Sequence, residues 1–190
     1  MKTALIFGSS GLVGKNLLNQ IINNSNYSKV KIFVRSSLEI SDQKVEIINT
    51  DFKDLQKIEN LIIGDDCFFC IGTTKKNSPD KNEYRRVELD LPKKIAQISK
   101  SNDIKSFIYV SSGFADSKNS GDYLKFKGLV EEEIKSLNFE KIGILRPSFL
   151  LGNRKENRIG EKIGIFIFKI LSPLFFGPIK KMKPIHSEIV

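Results

Sequence analysis

Short apolar runs alternate with amphipathic stretches along the first three quarters of the chain. Six of the runs predict strands, at Thr3–Phe7, Val30–Val34, Val45–Ile48, Cys67–Ile71, Phe107–Val110 and Lys141–Leu145. The stretches between them predict helices at Leu12–Ile22, Asp54–Leu61, Glu83–Ser101 and Tyr123–Leu137. Strands that alternate with helices form βαβ units, so the pattern predicts an α/β fold with a parallel sheet.

The last forty residues follow a different pattern. Residues 1–155 are the predicted sheet-bearing part of one domain, and residues 156–190 are a small C-terminal segment. An apolar helix predicted at Ile159–Leu171 carries Lys162 and Lys169, and Pro173 follows it. A membrane span needs about 20 apolar residues, and Lys169 and Pro173 interrupt this run, so we do not expect it to cross a membrane. We expect the segment to cap a substrate pocket. An amphipathic anchor on a membrane surface is the alternative.

Three glycines with a spacing of three follow the first predicted strand. Gly8 permits a tight turn, Gly11 lets the backbone approach a diphosphate, and Gly14 lets the helix pack closely on the sheet. The helix start then offers free N–H groups to an anion. Its strand–turn–helix context makes this a prediction of a Rossmann-type dinucleotide site, formed by Gly8, Ser10, Gly11, Leu12, Val13 and Gly14.

The end of the second strand indicates which dinucleotide binds. Arg35 lies 21 positions after Gly14, where an acid would hydrogen-bond the 2′-hydroxyl of NAD and an arginine accommodates the 2′-phosphate of NADP. Ser36 and Ser37 could add hydroxyl contacts. The prediction is therefore NADP, with NAD as the less favoured cofactor.

A candidate proton donor lies at the start of the last predicted helix. Tyr123 and Lys127 are four residues apart, so both lie on one helical face. A cation beside a phenol favours the phenolate, and such a tyrosine exchanges a proton with a carbonyl oxygen. Ser112 or Ser111, at the end of the fifth strand, would polarise that oxygen.

The same spacing elsewhere shows that position matters. Tyr27 and Lys31 are also four residues apart, but they are predicted to lie before the second strand, far from the carboxyl edge of the sheet.

These residues resemble the short-chain dehydrogenase/reductase superfamily. The likeness is greatest to its atypical, extended-like branch of Tat-interactive-protein-like oxidoreductases, and it covers roughly residues 3 to 160. The matching segments are the glycine turn, Arg35, Cys70 to Thr74, Val110 to Asp116, Tyr123 to Glu131, and Leu145 to Arg154.

The resemblance implies a doubly wound sheet of about seven parallel strands with helices on both faces. It implies an oxidoreductase in which Tyr123, Lys127 and a serine act on the substrate. The implied cofactor contacts are Asp51 and Phe52 to adenine, Gly72, Thr73 and Thr74 to ribose, Lys127 to the nicotinamide ribose, and Pro147 and Ser148 to the carboxamide.

The sequence departs from the family at two places. Glu88 stands where relatives usually carry Asp or Asn. The sequence ends at Val190, whereas relatives continue into another helix. Either the sequence is a truncated product or the last helix is missing in nature, and both alternatives concern the substrate pocket more than the cofactor site.

The amino-acid composition further restricts the kind of protein and its partners. The 190 residues are 40% hydrophobic and 28% charged, which is typical of one globular domain. The net charge of +9 is scattered without a run of five like charges, so no nucleic-acid partner is expected. Met1 leads straight into a predicted apolar strand, so no signal peptide is expected. Cys67 and Cys70 are expected to be core cysteines rather than a metal site, and we expect a reducing, cytoplasmic compartment. The oligomeric state stays open.

The sequence therefore predicts an NADP(H)-dependent oxidoreductase that moves a hydride to or from a small carbonyl or alcohol. A noncatalytic NAD(P)H-binding regulator is the main alternative. An epimerase that retains its nucleotide is a third, less favoured interpretation.

Overall fold

A computed structural model describes residues 1–36 and 38–147, together with the backbone of two short strands at 150–151 and 185–186. The strands are β1 (Lys2–Phe7), β2 (Tyr27–Val34), β3 (Val45–Asn49), β4 (Asp66–Phe69), β5 (Ser106–Val110), β6 (Lys141–Leu145), β7 (Leu150–Leu151) and β8 (Ile185–His186). The helices are α1 (Leu12–Ile22), α2 (Gln56–Glu59), α3 (Lys81–Arg85), α4 (Leu91–Ser101) and α5 (Asp122–Ser136), with a π-helical turn at Arg86–Asp90 between α3 and α4.

Six parallel strands form one sheet in the order β3-β2-β1-β4-β5-β6. The first three strands are added outward from β1 to β3, and the chain then crosses back to place β4 on the other side of β1. The point where the strand order reverses therefore lies between β1 and β4. In doubly wound folds the ligand crevice lies outside the carboxyl ends of the strands, at this point of reversal. The strands β7 and β8 pair with each other in a separate, two-stranded parallel sheet.

Both faces of the six-stranded sheet are covered by helices. On one face, Leu5 and Phe107 pack with Ile95 of α4 and Ile134 of α5. On the other face, Ile6 of β1 packs with residues of α1 and β2. Because successive side chains of a strand point to opposite faces, the apolar part of β1, residues 4–7, contributes to both cores. The predicted α/β Rossmann fold is confirmed.

The predicted strands and helices agree with the structure except at several ends and in the middle of one helix. Tyr27 and Lys31 lie inside β2 rather than before it, because the strand begins three residues earlier than the apolar run. The predicted helix Asp54–Leu61 is reduced to the single turn of α2. The segment 156–190, with the apolar run Ile159–Leu171, lies outside the described residues except for β8, so its role as a cap stays a prediction.

The long helix predicted at Glu83–Ser101 is interrupted at its centre. Pro92, in the first turn of α4, has no N–H to donate to the carbonyl of Glu88 four residues earlier. The helix widens there, and the N–H of Leu91 bonds to the carbonyl of Arg86 five residues back. Such π turns concentrate at functional sites, and this one places Glu88 in the protein interior.

No helix among the described residues is long and apolar enough to cross a membrane.

Candidate functional site

The glycine turn between β1 and α1 is shaped by close backbone contacts. Gly8 has a φ of +91°, and a Cβ there would lie 2.8 Å from the amide nitrogen of Ile71 beyond β4. A Cβ on Gly14 would lie 2.2 Å from the carbonyl oxygen of Gly8. The third glycine therefore lets α1 close onto the turn itself, rather than onto the sheet as the sequence suggested.

The start of α1 can receive a diphosphate. Gly11 caps the helix, and the first helical hydrogen bond runs from the N–H of Lys15 to its carbonyl. The N–H groups of Leu12, Val13 and Gly14 precede that bond and have no partner within the helix. No acidic side chain occupies the first turn, so the positive end of the helix dipole is available to an anion.

Ser9 is a further polar group in this turn. Its side chain is buried, and its hydroxyl has no hydrogen-bond partner among the described residues. A buried hydroxyl without a partner is costly unless a ligand or water satisfies it. The predicted Ser10 is exposed, whereas Ser9 was not predicted. The turn thus combines space, helix N–H groups and an unpaired hydroxyl, which fits a dinucleotide diphosphate.

The loop after β3 forms the other end of the crevice. Phe52 adopts a φ of +60°, and its ring packs in the core 6.3 Å from the ring of Phe7. Arg86 donates a hydrogen bond of 2.9 Å to the carbonyl of Phe52 and pairs with Glu83 through two hydrogen bonds of 2.7 Å. Arg86 therefore holds the backbone of the loop that is expected to receive adenine. Because the ring of Phe52 is buried, only its backbone is open to that role.

Cations gather near this end of the crevice. Arg35 and Ser36 are exposed just beyond β2, and Ser37 lies outside the described residues. The hydrogen bond from Arg86 lowers the pKa of the Glu83 carboxyl, with smaller contributions from Lys53 and Arg35. Arg35 and Lys53 thus lie on the same side of the crevice as Glu83 and Arg86.

The turn after β4 carries the predicted ribose contacts. The N–H of Thr73 donates to the carboxylate of Glu88, and the Thr73 hydroxyl lies 3.0 Å from that of Ser78. Thr74 accepts hydrogen bonds from the next residues of its loop. Gly72 is exposed, as a contact with a cofactor requires. Both threonines are thus engaged in shaping the turn.

Tyr123 and Lys127 lie together at the carboxyl edge of the sheet. Tyr123 is 40% exposed in the first turn of α5, whereas Lys127 is buried one turn later. The Lys127 Nζ lies 5.8 Å from the ring centre of Tyr123 and 4.9 Å from that of Tyr109. It donates to the carbonyl of Val110 at 3.3 Å. The lysine is therefore anchored beneath an accessible phenol.

The charge on Lys127 is balanced inside the protein. Its Nζ lies 3.2 Å from Oε2 of Glu88, and the two side chains are 4% and 0% exposed. Burial acts to lower the pKa of Lys127, but the oxygens of Tyr109, Glu88 and Tyr123 outweigh burial and raise it. Lys127 is thus an ammonium group at neutral pH.

The two predicted serines have different surroundings. Ser111 is buried, and its hydroxyl donates to the carboxylate of Glu131 on α5. Ser112 is half-buried, and its hydroxyl makes no hydrogen bond among the described residues. Ser112 is therefore the serine available to a substrate.

A short loop brings Ser112 to the start of α5. The N–H of Asp116 donates to the carbonyl of Leu124, and that of Gly113 donates to the carbonyl of Pro147. A Cβ on Gly128 would lie 2.2 Å from the amide nitrogen of Ser117, so only glycine lets the loop lie against the helix. Pro147 is buried beside this loop, and Ser148 lies outside the described residues.

Cys67 and the Tyr27–Lys31 pair lie apart from this site, whereas the Cys70 backbone lies against the glycine turn and the Cys70 thiol is within reach of the charge of Lys127. Burial raises the pKa of both Cys67 and Cys70 to about 12, which keeps the thiols neutral. No group of metal-binding side chains occurs among the described residues. Tyr27 donates to Asp66 at the amino edge of the sheet, opposite the crevice.

Four residues of the site had no prediction from the sequence: Ser9, Arg86, Glu88 as a partner of Lys127, and Glu131. The only available signals were Pro92, which predicts an irregular helix before it, and the alternation of strand ends, which predicts that Ser111 and Ser112 face opposite ways.

Two known proteins are similar to this chain in sequence. Protein HTATIP2 of Rattus norvegicus is 34% identical over 164 residues, which are 84% of this chain and 67% of that protein. The protein FMP52 of Candida glabrata, named as mitochondrial, is 31% identical over 169 residues, which are 87% of this chain and 71% of that protein.

Solved structures confirm the fold. A short-chain dehydrogenase/reductase superfamily protein of Agrobacterium tumefaciens, solved with bound NAD, has a TM-score of 0.68 at 16% identity. The match covers 90% of this chain and 60% of that chain, so this chain spans less than two thirds of the solved protein. The resemblance inferred from the sequence is thus confirmed. A sequence profile of NAD(P)H-binding proteins matches residues 8–163, and the chain belongs to this NAD(P)H-binding family.

Proposed function

We propose that the chain is an NADP(H)-dependent oxidoreductase that transfers a hydride between the nicotinamide ring and a small carbonyl or alcohol compound. The observation that carries this proposal is the pairing of an exposed Tyr123 with a buried, charged Lys127 at the carboxyl edge of the sheet. The NAD bound to the Agrobacterium relative supports the use of a nicotinamide cofactor.

The protein residues of the reaction have separate tasks. The start of α1 binds the diphosphate, and Lys127 holds the nicotinamide ribose. Ser112 donates a hydrogen bond to the substrate oxygen, and Tyr123 gives that oxygen its proton during reduction. The bound cofactor supplies the hydride. In the reverse direction Tyr123 takes the proton from the alcohol.

The preference for NADP rests on Arg35. Its exposed guanidinium lies beyond β2, where the ribose 2′-phosphate reaches in this fold. Bidentate recognition of phosphate suits arginine. We keep the cytoplasm as the proposed location, although the FMP52 relative is named as mitochondrial.

A tyrosine comparison tests the proposed chemistry. NADPH oxidation is measured with a panel of aldehydes and ketones for the parent protein, Tyr123→Phe and Tyr27→Phe. Loss of the catalytic proton donor should lower turnover at least about 100-fold without weakening NADPH binding. Tyr27→Phe is the matched control, because Tyr27 has the same spacing to a lysine at the opposite edge of the sheet.

The same experiment separates the alternatives. Turnover that survives Tyr123→Phe contradicts the assigned role. Tight NADPH binding without oxidation of NADPH by any carbonyl favours the noncatalytic regulator. NADP released from denatured protein favours the epimerase.

A further inference from the structure

Glu88 connects two parts of the site that are far apart in sequence. One carboxylate oxygen accepts the hydrogen bond from the N–H of Thr73, in the turn that is expected to line the cofactor ribose. The other oxygen lies 3.2 Å from the Nζ of Lys127. The side chain is fully buried, and the π turn before α4 places it there. Glu88 thus fixes the position of the lysine relative to the turn after β4.

The ion pair between Glu88 and Lys127 also changes the electrostatic potential at Tyr123. The ammonium group lies 3.2 Å from the Glu88 oxygen and 5.8 Å from the centre of the Tyr123 ring. Coulomb energy falls with distance, so the carboxylate interacts more strongly with the ammonium than the phenol does. The negative charge of Glu88 therefore offsets part of the positive field that Lys127 exerts on Tyr123.

Groups from every packed element surround this pair. Those that carry charge or titrate are Cys70 after β4, Lys75 in the following loop, Tyr84 on α3, Tyr109 on β5, and Asp122 and Tyr123 on α5. Lys75 and Asp122 pair with each other at 3.0 Å. Burial keeps Cys70, Tyr84 and Tyr109 neutral, since it raises the pKa of each to about 12. Glu88 is therefore the buried anion that balances Lys127.

We propose that Glu88 is a positioning residue that neutralises Lys127 and thereby keeps the Tyr123 phenol protonated, the form that carbonyl reduction requires. This inference rests on the proposed function and adds a device that sets the protonation of its acid. During reduction the hydride goes to the carbonyl carbon, and the phenolic proton goes to the carbonyl oxygen. The products are an alcohol and oxidised cofactor, and the tyrosinate regains a proton from solvent.

Spectroscopic titration of the cofactor-free protein tests the inference without a substrate. Tyrosinate absorbance is followed against pH in the parent, and the transition that disappears in Tyr123→Phe is assigned to Tyr123. Glu88→Gln keeps an oxygen for the N–H of Thr73 but removes the negative charge. The uncompensated ammonium should lower the midpoint of the Tyr123 transition by about one pH unit or more.

Glu133→Gln is the matched control. Glu133 lies on the same helix as Lys127 and pairs with Lys93 on α4 at 3.5 Å, away from Tyr123. This variant should keep the midpoint of the parent. A midpoint unchanged in Glu88→Gln, or lowered equally in Glu133→Gln, overturns the inference.

A second variant decides the matter if Glu88→Gln does not fold. The double variant Glu88→Gln with Lys127→Met removes both charges and leaves no buried ion unpaired, so it should fold. If the pair is neutral in the parent, the double variant keeps the midpoint of the parent. A rise of one pH unit or more would mean that Glu88 does not neutralise Lys127.

The two proposals fail differently. Full turnover in Tyr123→Phe would contradict the oxidoreductase chemistry and leave the titration result intact. A titration in which Glu88 has no effect would contradict the role of Glu88 and leave the Tyr123→Phe result intact.

Discussion

Ser111 donates its hydroxyl hydrogen to the buried carboxylate of Glu131, and this bond separates two adjacent serines by role. The guanidinium of Arg146 donates one hydrogen bond to each oxygen of the Glu131 carboxylate. The hydrogen bond of Arg146 to Glu131 raises the pKa of the arginine, which reinforces its charge. The network fastens the ends of β5 and β6 to α5. Ser111 is therefore part of the scaffold, and Ser112 is the serine that we propose for the substrate.

Alanine at the two serines should therefore give opposite results. Ser111→Ala should lower the free energy of unfolding by about 1 kcal/mol or more, since one hydrogen bond to a buried carboxylate is lost. Ser112→Ala should leave the free energy of unfolding within about 0.5 kcal/mol of the parent and lower carbonyl turnover about 100-fold. Urea unfolding and steady-state kinetics measure the two effects. A reversed pattern would contradict the assignment of the serines.

The sequence predicts the local parts of this site well. The glycine turn, Tyr123 and Lys127 are each defined by residues a few positions apart on one element, and the order of strands brings them to one edge. Spacing could not decide between Ser111 and Ser112, because the answer depends on Glu131, twenty residues further along the chain.

Contacts between distant segments could not be predicted in the same way. The carboxylate of Glu88 meets Lys127 across 39 positions, and the guanidinium of Arg86 meets the carbonyl of Phe52 across 34. No local sequence pattern predicts either contact. The π turn that directs Glu88 inward results from Pro92, four residues later. Only the packed fold reveals such pairs.

Arg35 should decide which nicotinamide cofactor binds. Replacing it by alanine removes the charge proposed to face the 2′-phosphate, and a charge-assisted hydrogen bond contributes about 1.5–3 kcal/mol. Arg35→Ala should raise the Kd for NADPH at least about tenfold and change the Kd for NADH little. Isothermal titration calorimetry measures both constants.

Lys105→Ala is the control for that comparison, since it also removes one positive charge. Lys105 lies at the amino edge of the sheet, where it pairs with Glu140 at 3.2 Å. Equal affinities of the parent protein for NADPH and NADH would rule out the preference for NADP.

The buried cysteines predict a dependence of stability on pH. Burial raises the pKa of Cys67 and Cys70 from the ordinary value of 9.0 to about 12. Below pH 9 the thiols are neutral in both states, and their contribution to stability is complete. Between pH 9 and 12 the unfolded chain loses these protons before the folded protein does, so stability falls as the pH rises.

Each thiol should contribute a slope of about 1.4 kcal/mol per pH unit in that range. Urea unfolding between pH 8 and pH 10.5 should show a shallower decline for Cys67→Ala than for the parent, whatever the cavity costs at pH 8. Identical slopes would contradict the burial of a neutral thiol at Cys67.

The central claim is that the backbone after β1 binds a dinucleotide. The most direct test is to measure the affinity for NADPH of three proteins: the parent, Gly14→Ala and Gly143→Ala. A methyl group at Gly14 would lie 2.2 Å from the carbonyl oxygen of Gly8, whereas the nearest neighbours of one at Gly143 would be side-chain atoms of Ile108 in β5, at 3.1 Å or more. We predict that NADPH binds to the parent and to Gly143→Ala, quenching its fluorescence and raising Tm, and that Gly14→Ala loses this binding. A parent protein that neither quenches NADPH fluorescence nor gains thermal stability with any nicotinamide nucleotide would contradict the account.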